Sequence, residues 1–417
     1  MIRNVATVMR GTILGQGLGL LILPLLTRLY DPSSFGHFQL YQSTTLVLVV
    51  FVSLRFEVAL LRARDGQELQ ATLVLCLLST LLTSLLLSVG WWVLGAIRPD
   101  FYEQLPMPSW MVGCSAFIIG VFQVLGYLAT RRKEYSTIAN SKVVQAASYS
   151  GIATVFGYSK YALGLIVADV AGRLIAIFSM LNLLKLNDTF GYRSVGVKHV
   201  KDAAIKFKEF PLITVFGGLV NSAGIIITPI MIYAAFSAEI AGQFALVERS
   251  IAFPIAMIVG AISQVYTSNI AAFIRDNPKE IAQQYRDLLK RLTLLAAVPS
   301  LIGFFTVSIL FEFVFGENWA VAGNLAKIMI PAYFIIFVYG GVNMTLMILG
   351  RQVLQTAWEI FRLICMVVLW VFIIDSEMTV TEVVTLHSMV IGGVSLLFLV
   401  VAEYAVRKGP TKAALAQ

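Results

Sequence analysis

The chain has 417 residues, of which 58% are hydrophobic and only 13% charged, and its mean hydropathy is +0.83. Soluble domains carry about 25% charged residues, so the composition excludes an ordinary soluble protein. The formal charge of +8 would suggest nucleic acid in a soluble chain. In so apolar a chain, positive residues are topology signals instead, and we expect no nucleic-acid partner.

Apolar runs fill most of the chain, and a helix that spans a membrane needs about 20 such residues. We predict an all-α membrane protein with twelve transmembrane helices in two six-helix lobes. The lobes are residues 1–208, with a basic cytoplasmic linker at 185–208, and 209–417. The predicted spans are 12–30, 38–61, 71–97, 107–129, 139–158, 161–184, 210–235, 240–274, 292–315, 320–349, 355–374 and 383–405.

The lysines and arginines support this arrangement. Of the 31, 23 fall in loops on one side, Lys142 included, and three on the other. The positive-inside rule then places these loops and both termini in the cytoplasm. The other five lie within spans.

Part of the first half recurs in the second. Pro24 aligns with Pro229 at an offset of 205, and the Gly-x-Phe-x-Leu pattern at 36–40 aligns with 242–246 one inserted residue later. Ordered matches at half the chain length indicate a duplication. Six spans per half make it a parallel repeat about an axis along the membrane normal. Each proline removes a backbone hydrogen bond, which predicts either a gating kink or a static bend that aids packing.

Four cations stand where a membrane makes charge expensive, at about 2.5–3.5 kcal/mol each near the centre. They are Arg28, Arg55, Arg249 and Lys327. Three of them have an alternative. Arg28 would anchor a helix end, Arg55 would reach the inner headgroups, and Lys327 would bind another helix.

The repeat bears on two of these cations. It aligns Arg28 with Tyr233 and Arg249 with Ser43, so neither charge belongs to the shared scaffold, and a role in a site is favoured. Arg55 and Glu57 are two residues apart, about 200° around a helix. We therefore expect that they do not pair with each other.

Three carboxylates are candidates for coupling to an ion gradient, because a buried carboxylate can carry a proton. They are Glu57, Asp169 and Glu359. Asp169 with Arg173, and Glu359 with Arg362, have helical spacings that favour structural ion pairs instead.

Neutral polar residues in the first helices of the two halves are candidates for a wall that binds sugar. They are Gln16, Gln42, Asn221 and Ser222. No phosphate-binding Gly-x-x-x-x-Gly-Lys loop, metal-ligand spacing or Gly-x-Ser-x-Gly motif is present in the sequence. We therefore expect no metal, no cofactor and no enzymatic activity.

Residues 11–43, GTILGQGLGLLILPLLTRLYDPSSFGHFQLYQS, and 53–61, SLRFEVALL, resemble the Wzx-type polysaccharide (O-antigen) flippases. These belong to the MATE-like exporter superfamily, with multidrug exporters and the lipid II flippase. The resemblance implies two six-helix bundles around a cavity in a bacterial inner membrane. It also implies that an undecaprenyl-diphosphate-linked oligosaccharide moves from the inner to the outer leaflet.

The resemblance also implies roles for the cations. Arg249 precedes Phe253-Pro254 in a pattern similar to that of the lipid II flippase, and Arg28 and Arg55 match its arginines in the first two helices. Arginine suits diphosphate because it donates two parallel hydrogen bonds.

We expect a monomer that acts with membrane lipid, and a polysaccharide polymerase and a chain-length regulator are candidate partners. One alternative is a multidrug or cation exporter of the same fold, which would need a net-negative cavity. The other is a membrane polymerase or transferase for the same lipid-linked sugar, which would need a larger outer loop.

Overall fold

The computed structural model describes residues 2–97, 108–184, 195–276, 280–374 and 376–411. Within these ranges the side chains of 2–12, 213, 216, 217, 220, 221, 225, 271, 272, 275 and 276 lie outside the description. The described residues form helices and no strand, so they have the predicted all-α class.

The α-helices of the described residues are numbered in chain order. They are α1 (Ile2–Leu29), α2 (Pro32–Phe51), α3 (Phe56–Ala59), α4 (Gln67–Ile97), α5 (Ser109–Arg131), α6 (Tyr135–Tyr158), α7 (Gly164–Leu184), α8 (Val197–Lys206), α9 (Val215–Ala235), α10 (Ala238–Val247), α11 (Phe253–Asp276), α12 (Ile281–Phe315), α13 (Ala320–Val342), α14 (Thr345–Ile348), α15 (Gln352–Ile374) and α16 (Val380–Lys408). Two π-helical segments, Phe210–Thr214 and Glu248–Ala252, precede α9 and α11.

Eight helical segments of the described chain are long and apolar enough to cross a membrane, and two shorter ones, Ile13–Leu29 and Ile226–Ala235, are apolar. The protein is therefore a multi-pass membrane protein. Helices α2 and α6 have 20 and 24 residues, but both are too polar to join the eight on composition. The count of twelve spans stays a prediction.

The predicted span 38–61 is wrong in one respect, because α2 ends at Phe51. Leu54 and Arg55 take left-handed backbone angles, with φ of 51° and 61°. The break frees backbone carbonyls, and hydroxyls of α4 satisfy them: Ser79 donates to the oxygen of Ser53, and Thr83 to that of Val52. A buried chain break is tolerated when such partners exist.

The chain divides into two compact units, the first ending at Ile226 and the second beginning at Ile227. The sequence placed the lobe boundary at 208. That boundary stays a prediction, and residues just after 208 pack on the first unit. Phe210 joins a buried cluster with Phe56 and Leu60, and the guanidinium of Arg62 lies 5.4 Å from the Phe210 ring centre.

The repeated residues occupy equivalent helices. Pro24 lies within α1 and Pro229 within α9, while both Gly-x-Phe-x-Leu patterns are buried, in α2 and α10. The repeat extends to the helix caps. Asp31 and Ser237, 206 residues apart, each accept a hydrogen bond from the backbone N–H three residues on.

Glycines allow close helix packing in both units. In the second unit, a Cβ added to Gly323 of α13 would lie 2.9 Å from the Cα of Ser308 on α12. That separation is shorter than Cβ contacts allow, and the obstacle is backbone, so it cannot rotate away. By contrast, a Cβ at Gly393 on α16 would meet nothing within 4 Å.

Gly323→Ala should lower the free energy of unfolding by about 1–3 kcal/mol through overpacking. Gly393→Ala is the matched control and should be neutral or stabilising by up to about 1 kcal/mol, because alanine favours helix. Unfolding of both variants in detergent micelles checks this. Equal stability of the two variants would contradict the packing argument.

Candidate functional site

The best-defined polar cluster of the first unit surrounds Glu57, whose side chain has no exposed surface. Ser53 donates to its Oε2, and Gln123 of α5 donates to its Oε1 at 2.8 Å. The Nη1 of Arg55 lies 3.7 Å from Oε1. A buried carboxylate needs such donors to offset its loss of water, and the break after α2 brings two of them close.

The expectation that Arg55 and Glu57 do not pair is therefore wrong. The 200° separation assumed a continuous helix, whereas Arg55 lies in the left-handed turn before α3. The side chain of Arg55 also extends to α9, where a Cβ on Gly218 would lie 2.8 Å from Nη2. Gly218 thus leaves room for the guanidinium.

A second cluster surrounds Asp169 of α7, which is also buried. Arg173 donates from Nε at 2.9 Å and from Nη2 at 3.2 Å to its two oxygens, and Tyr41 of α2 donates at 3.1 Å. The helical pair predicted from spacing is thus present. Arg173 keeps Nη1 for another partner.

A cavity of about 340 Å³ lies between α5, α6 and α7 and touches both clusters. Gln123, which binds Glu57, and Arg173, which binds Asp169, both line it. Lys142, Ser141 and Tyr127 add a cation and two hydroxyls. No residue of the described lining is acidic. A cavity with two cations and neutral donors suits an anionic group, such as phosphate.

Sequence analysis missed Lys142, Arg173 and Gln123 as residues of this cavity. Lys142 was assigned to a cytoplasmic loop, but it lies within α6. The signal was present as helical spacing: the cavity-lining residues of α5 are 119, 122, 123, 126, 127 and 130, and those of α6 are 138, 141 and 142. Polar residues at that spacing within an apolar helix indicate a face that lines a cavity.

The other predicted residues of the first unit are not among the residues that line this cavity. Arg28 is exposed in the last turn of α1, and the nearby Asp31 caps α2 by accepting from the backbone N–H of Ser34. Gln16 and Gln42 are half-buried. Ser222 is buried on α9, and the side chain of Asn221 lies outside the described residues.

The second unit holds the other two predicted cations. Arg249 is half-buried in the π-helical segment before α11. Lys327 is exposed, and its ammonium lies 5.4 Å from the centre of the Phe304 ring on α12. The four cations predicted to form one site are thus divided between the two units.

Two carboxylates of the second unit differ in burial. Glu359 forms a 2.7 Å ion pair with Arg362, and both side chains are about 40% exposed. Glu248, which sequence analysis did not select, accepts a 2.8 Å hydrogen bond from the buried Tyr333. Among the residues described, no three His, Cys, Asp or Glu side chains are grouped to hold a metal ion.

A profile of the polysaccharide biosynthesis protein family matches residues 25–324. The chain belongs to this family. The match covers more than two thirds of the sequence and confirms the resemblance seen in residues 11–61. No curated protein sequence matches the chain significantly.

Solved structures show which fold this family member has. An inward-facing multidrug resistance MATE family transporter of the MOP superfamily aligns with a TM-score of 0.62 at 13% identity, over 96% of this chain and 99% of its own. The lipid II flippase MurJ, inward closed, aligns with a TM-score of 0.63 at 13% identity, over 96% and 87%. A MOP superfamily transporter from Pyrococcus furiosus, described as having a binding pocket of reversed polarity, aligns with a TM-score of 0.56 at 13% identity, over 100% and 96%. The fold is MATE-like.

The two helical ion pairs should differ in their contribution to stability. Asp169→Ala leaves the mostly buried Arg173 without its carboxylate, and we expect a loss of about 3–5 kcal/mol in the free energy of unfolding. Glu359→Ala breaks a pair that is far more exposed and should cost at most about 1 kcal/mol. Unfolding in detergent measures both. Similar losses would mean that burial does not govern these pairs.

Proposed function

We propose that the protein is a flippase that moves an undecaprenyl-diphosphate-linked oligosaccharide, an O-antigen or other surface polysaccharide unit, from the inner to the outer leaflet. The observation that carries this proposal is the cavity of the first unit, which Lys142 and Arg173 line within a membrane helix bundle and whose described lining contains no carboxylate. Membership of a polysaccharide biosynthesis family and a fold like that of the lipid II flippase support it.

The diphosphate would bind to the cations of the first unit. Lys142 and the free Nη1 of Arg173 would contact it in the cavity, and Arg55 would add a charge beside Glu57. Arg28, Arg249 and Lys327 remain proposed contacts at other stages of transport, and Pro24 and Pro229 remain proposed hinges for alternating access.

Transport would be coupled to an ion gradient through a carboxylate. Burial favours Glu57 and Asp169 over Glu359, which is more exposed and paired with Arg362. Glu57 is the stronger candidate, because its pairing with Arg55 is the longer of the two buried pairs, at 3.7 Å. Protonation of Glu57 would release Arg55 for the substrate.

The proposed setting is a bacterial inner membrane with both termini in the cytoplasm. The protein would act there as a monomer and not as an enzyme, beside a polymerase and a chain-length regulator. The main alternative is a multidrug or cation exporter of the same fold. A cationic drug would meet like charge in the first cavity, which argues against it. A membrane polymerase or transferase is the weaker alternative.

Replacing Arg55, Lys142 or Arg249 with alanine should lower surface polysaccharide output about tenfold or more, since a charged hydrogen bond contributes about 1.5–3 kcal/mol. Output is measured in cells that lack their own flippase, at equal protein levels in the membrane. Lys408→Ala is the control, because it removes the same charge in the last turn of α16, outside both cavities. Unchanged output from all three variants would overturn the assigned roles.

A further inference from the structure

A second, larger cavity lies within the second unit, between α11 and α13, with a volume of about 730 Å³. That volume lies in the range of small-molecule sites, about 300–1,000 Å³. Helix α13 approaches α11 closely at one wall, because Gly340 has no side chain: a Cβ there would lie 2.3 Å from Val259. No residue proposed above to hold the diphosphate lines this cavity.

One face of α11 supplies most of the polar groups. Ser263, Gln264, Thr267 and Ser268 line the cavity at helical spacing. Within the described part of the chain, the side chains of Gln264, Thr267 and Ser268 have no hydrogen-bond partner. Their amide and hydroxyl groups are therefore available to a ligand.

The facing helix α13 completes the wall with Asn343 and Tyr339. The hydroxyl of Ser263 donates to Oδ1 of Asn343 at 3.0 Å, and the amide nitrogen of Asn343 has no hydrogen-bond partner among the described residues. No charged residue belongs to the described lining. Neutral donors and acceptors beside an aromatic ring and aliphatic side chains match a sugar, which has hydroxyl edges and apolar faces.

We propose that this cavity binds the saccharide part of the lipid-linked substrate. The inference rests on the proposed function and assigns the sugar to the second unit. It replaces the sugar wall of Gln16, Gln42, Asn221 and Ser222 predicted from the sequence. Charge for the diphosphate and neutral groups for the saccharide are then supplied by different cavities.

Gly260 offers a direct test. It lines the cavity, and a Cβ there would meet nothing within 4 Å, so Gly260→Leu adds a side chain to the cavity wall at a position where the Cβ is unobstructed. Gly393→Leu is the matched control, with the same change in the same unit at a glycine that is equally unobstructed and outside the cavity. Gln264→Ala removes an amide that has no partner in the described chain and should leave folding intact.

Binding is measured with the purified full chain and two probes: polyprenyl-diphosphate saccharides extracted from the source cells, and bare undecaprenyl diphosphate. We expect the wild type to bind the saccharide-bearing lipid more tightly. Gly260→Leu and Gln264→Ala should weaken that binding about three- to tenfold, which corresponds to one hydrogen bond or more. Binding of the bare diphosphate should not change.

The outcomes separate this inference from the proposed function. Equal wild-type affinity for both probes, equal weakening of both by the variants, or no difference between Gly260→Leu and Gly393→Leu would overturn the saccharide site alone. If the wild type binds neither probe, the proposed function is overturned, and the saccharide site with it.

Discussion

A carboxylate without water must be surrounded by donors, and the first unit is built to meet that requirement at Glu57. An isolated ionised carboxylate in an apolar interior would be prohibitively unstable. The chain therefore leaves its helix at Val52 and turns through two left-handed residues, Leu54 and Arg55. Each residue held in this left-handed region costs about 1–3 kcal/mol. The hydroxyls of α4 that donate to the freed carbonyls, and Gln123 on α5, hold the turn in place.

This arrangement also positions the cavity. Gln123 donates a hydrogen bond to Glu57 and also lines the cavity. Arg173 likewise donates to Asp169 and lines the cavity. Each buried acid thus fixes a residue of the wall. The acids stay behind the wall, and the cavity keeps a cationic lining. In the second unit, Tyr333 lines the cavity and donates to Glu248, but no residue of its described lining is charged.

Much of the fold could be predicted from the sequence, because long apolar runs and loop charges are direct consequences of the bilayer. The positions of Pro24 and Pro229, and burial of both Gly-x-Phe-x-Leu patterns, follow from the repeat. The break after Phe51 could not be predicted, since it depends on Ser79 and Thr83, hydroxyls on another helix.

The site was harder to predict for the same reason. Arg55 was selected for its charge, but its partner was excluded by a helical geometry that does not exist at that point. Lys142 was overlooked because a lysine near the end of an apolar run looks like a loop residue. Lys142 becomes a cavity residue only when α5 and α7 pack beside its face of α6. A cavity forms where packed helices leave space between them. A single sequence indicates it only through polar residues at helical spacing.

The proposed function requires that a lipid-linked saccharide, and not a cationic drug, crosses the membrane through this protein. The most direct measurement reconstitutes the purified chain in vesicles and follows two compounds. One is a polyprenyl-diphosphate saccharide in one leaflet, and the other is a cationic dye. We predict that the saccharide lipid becomes accessible in the opposite leaflet only when the protein is present, and that the dye does not accumulate. Transport of the dye without movement of the saccharide lipid would show that the protein is not the proposed flippase.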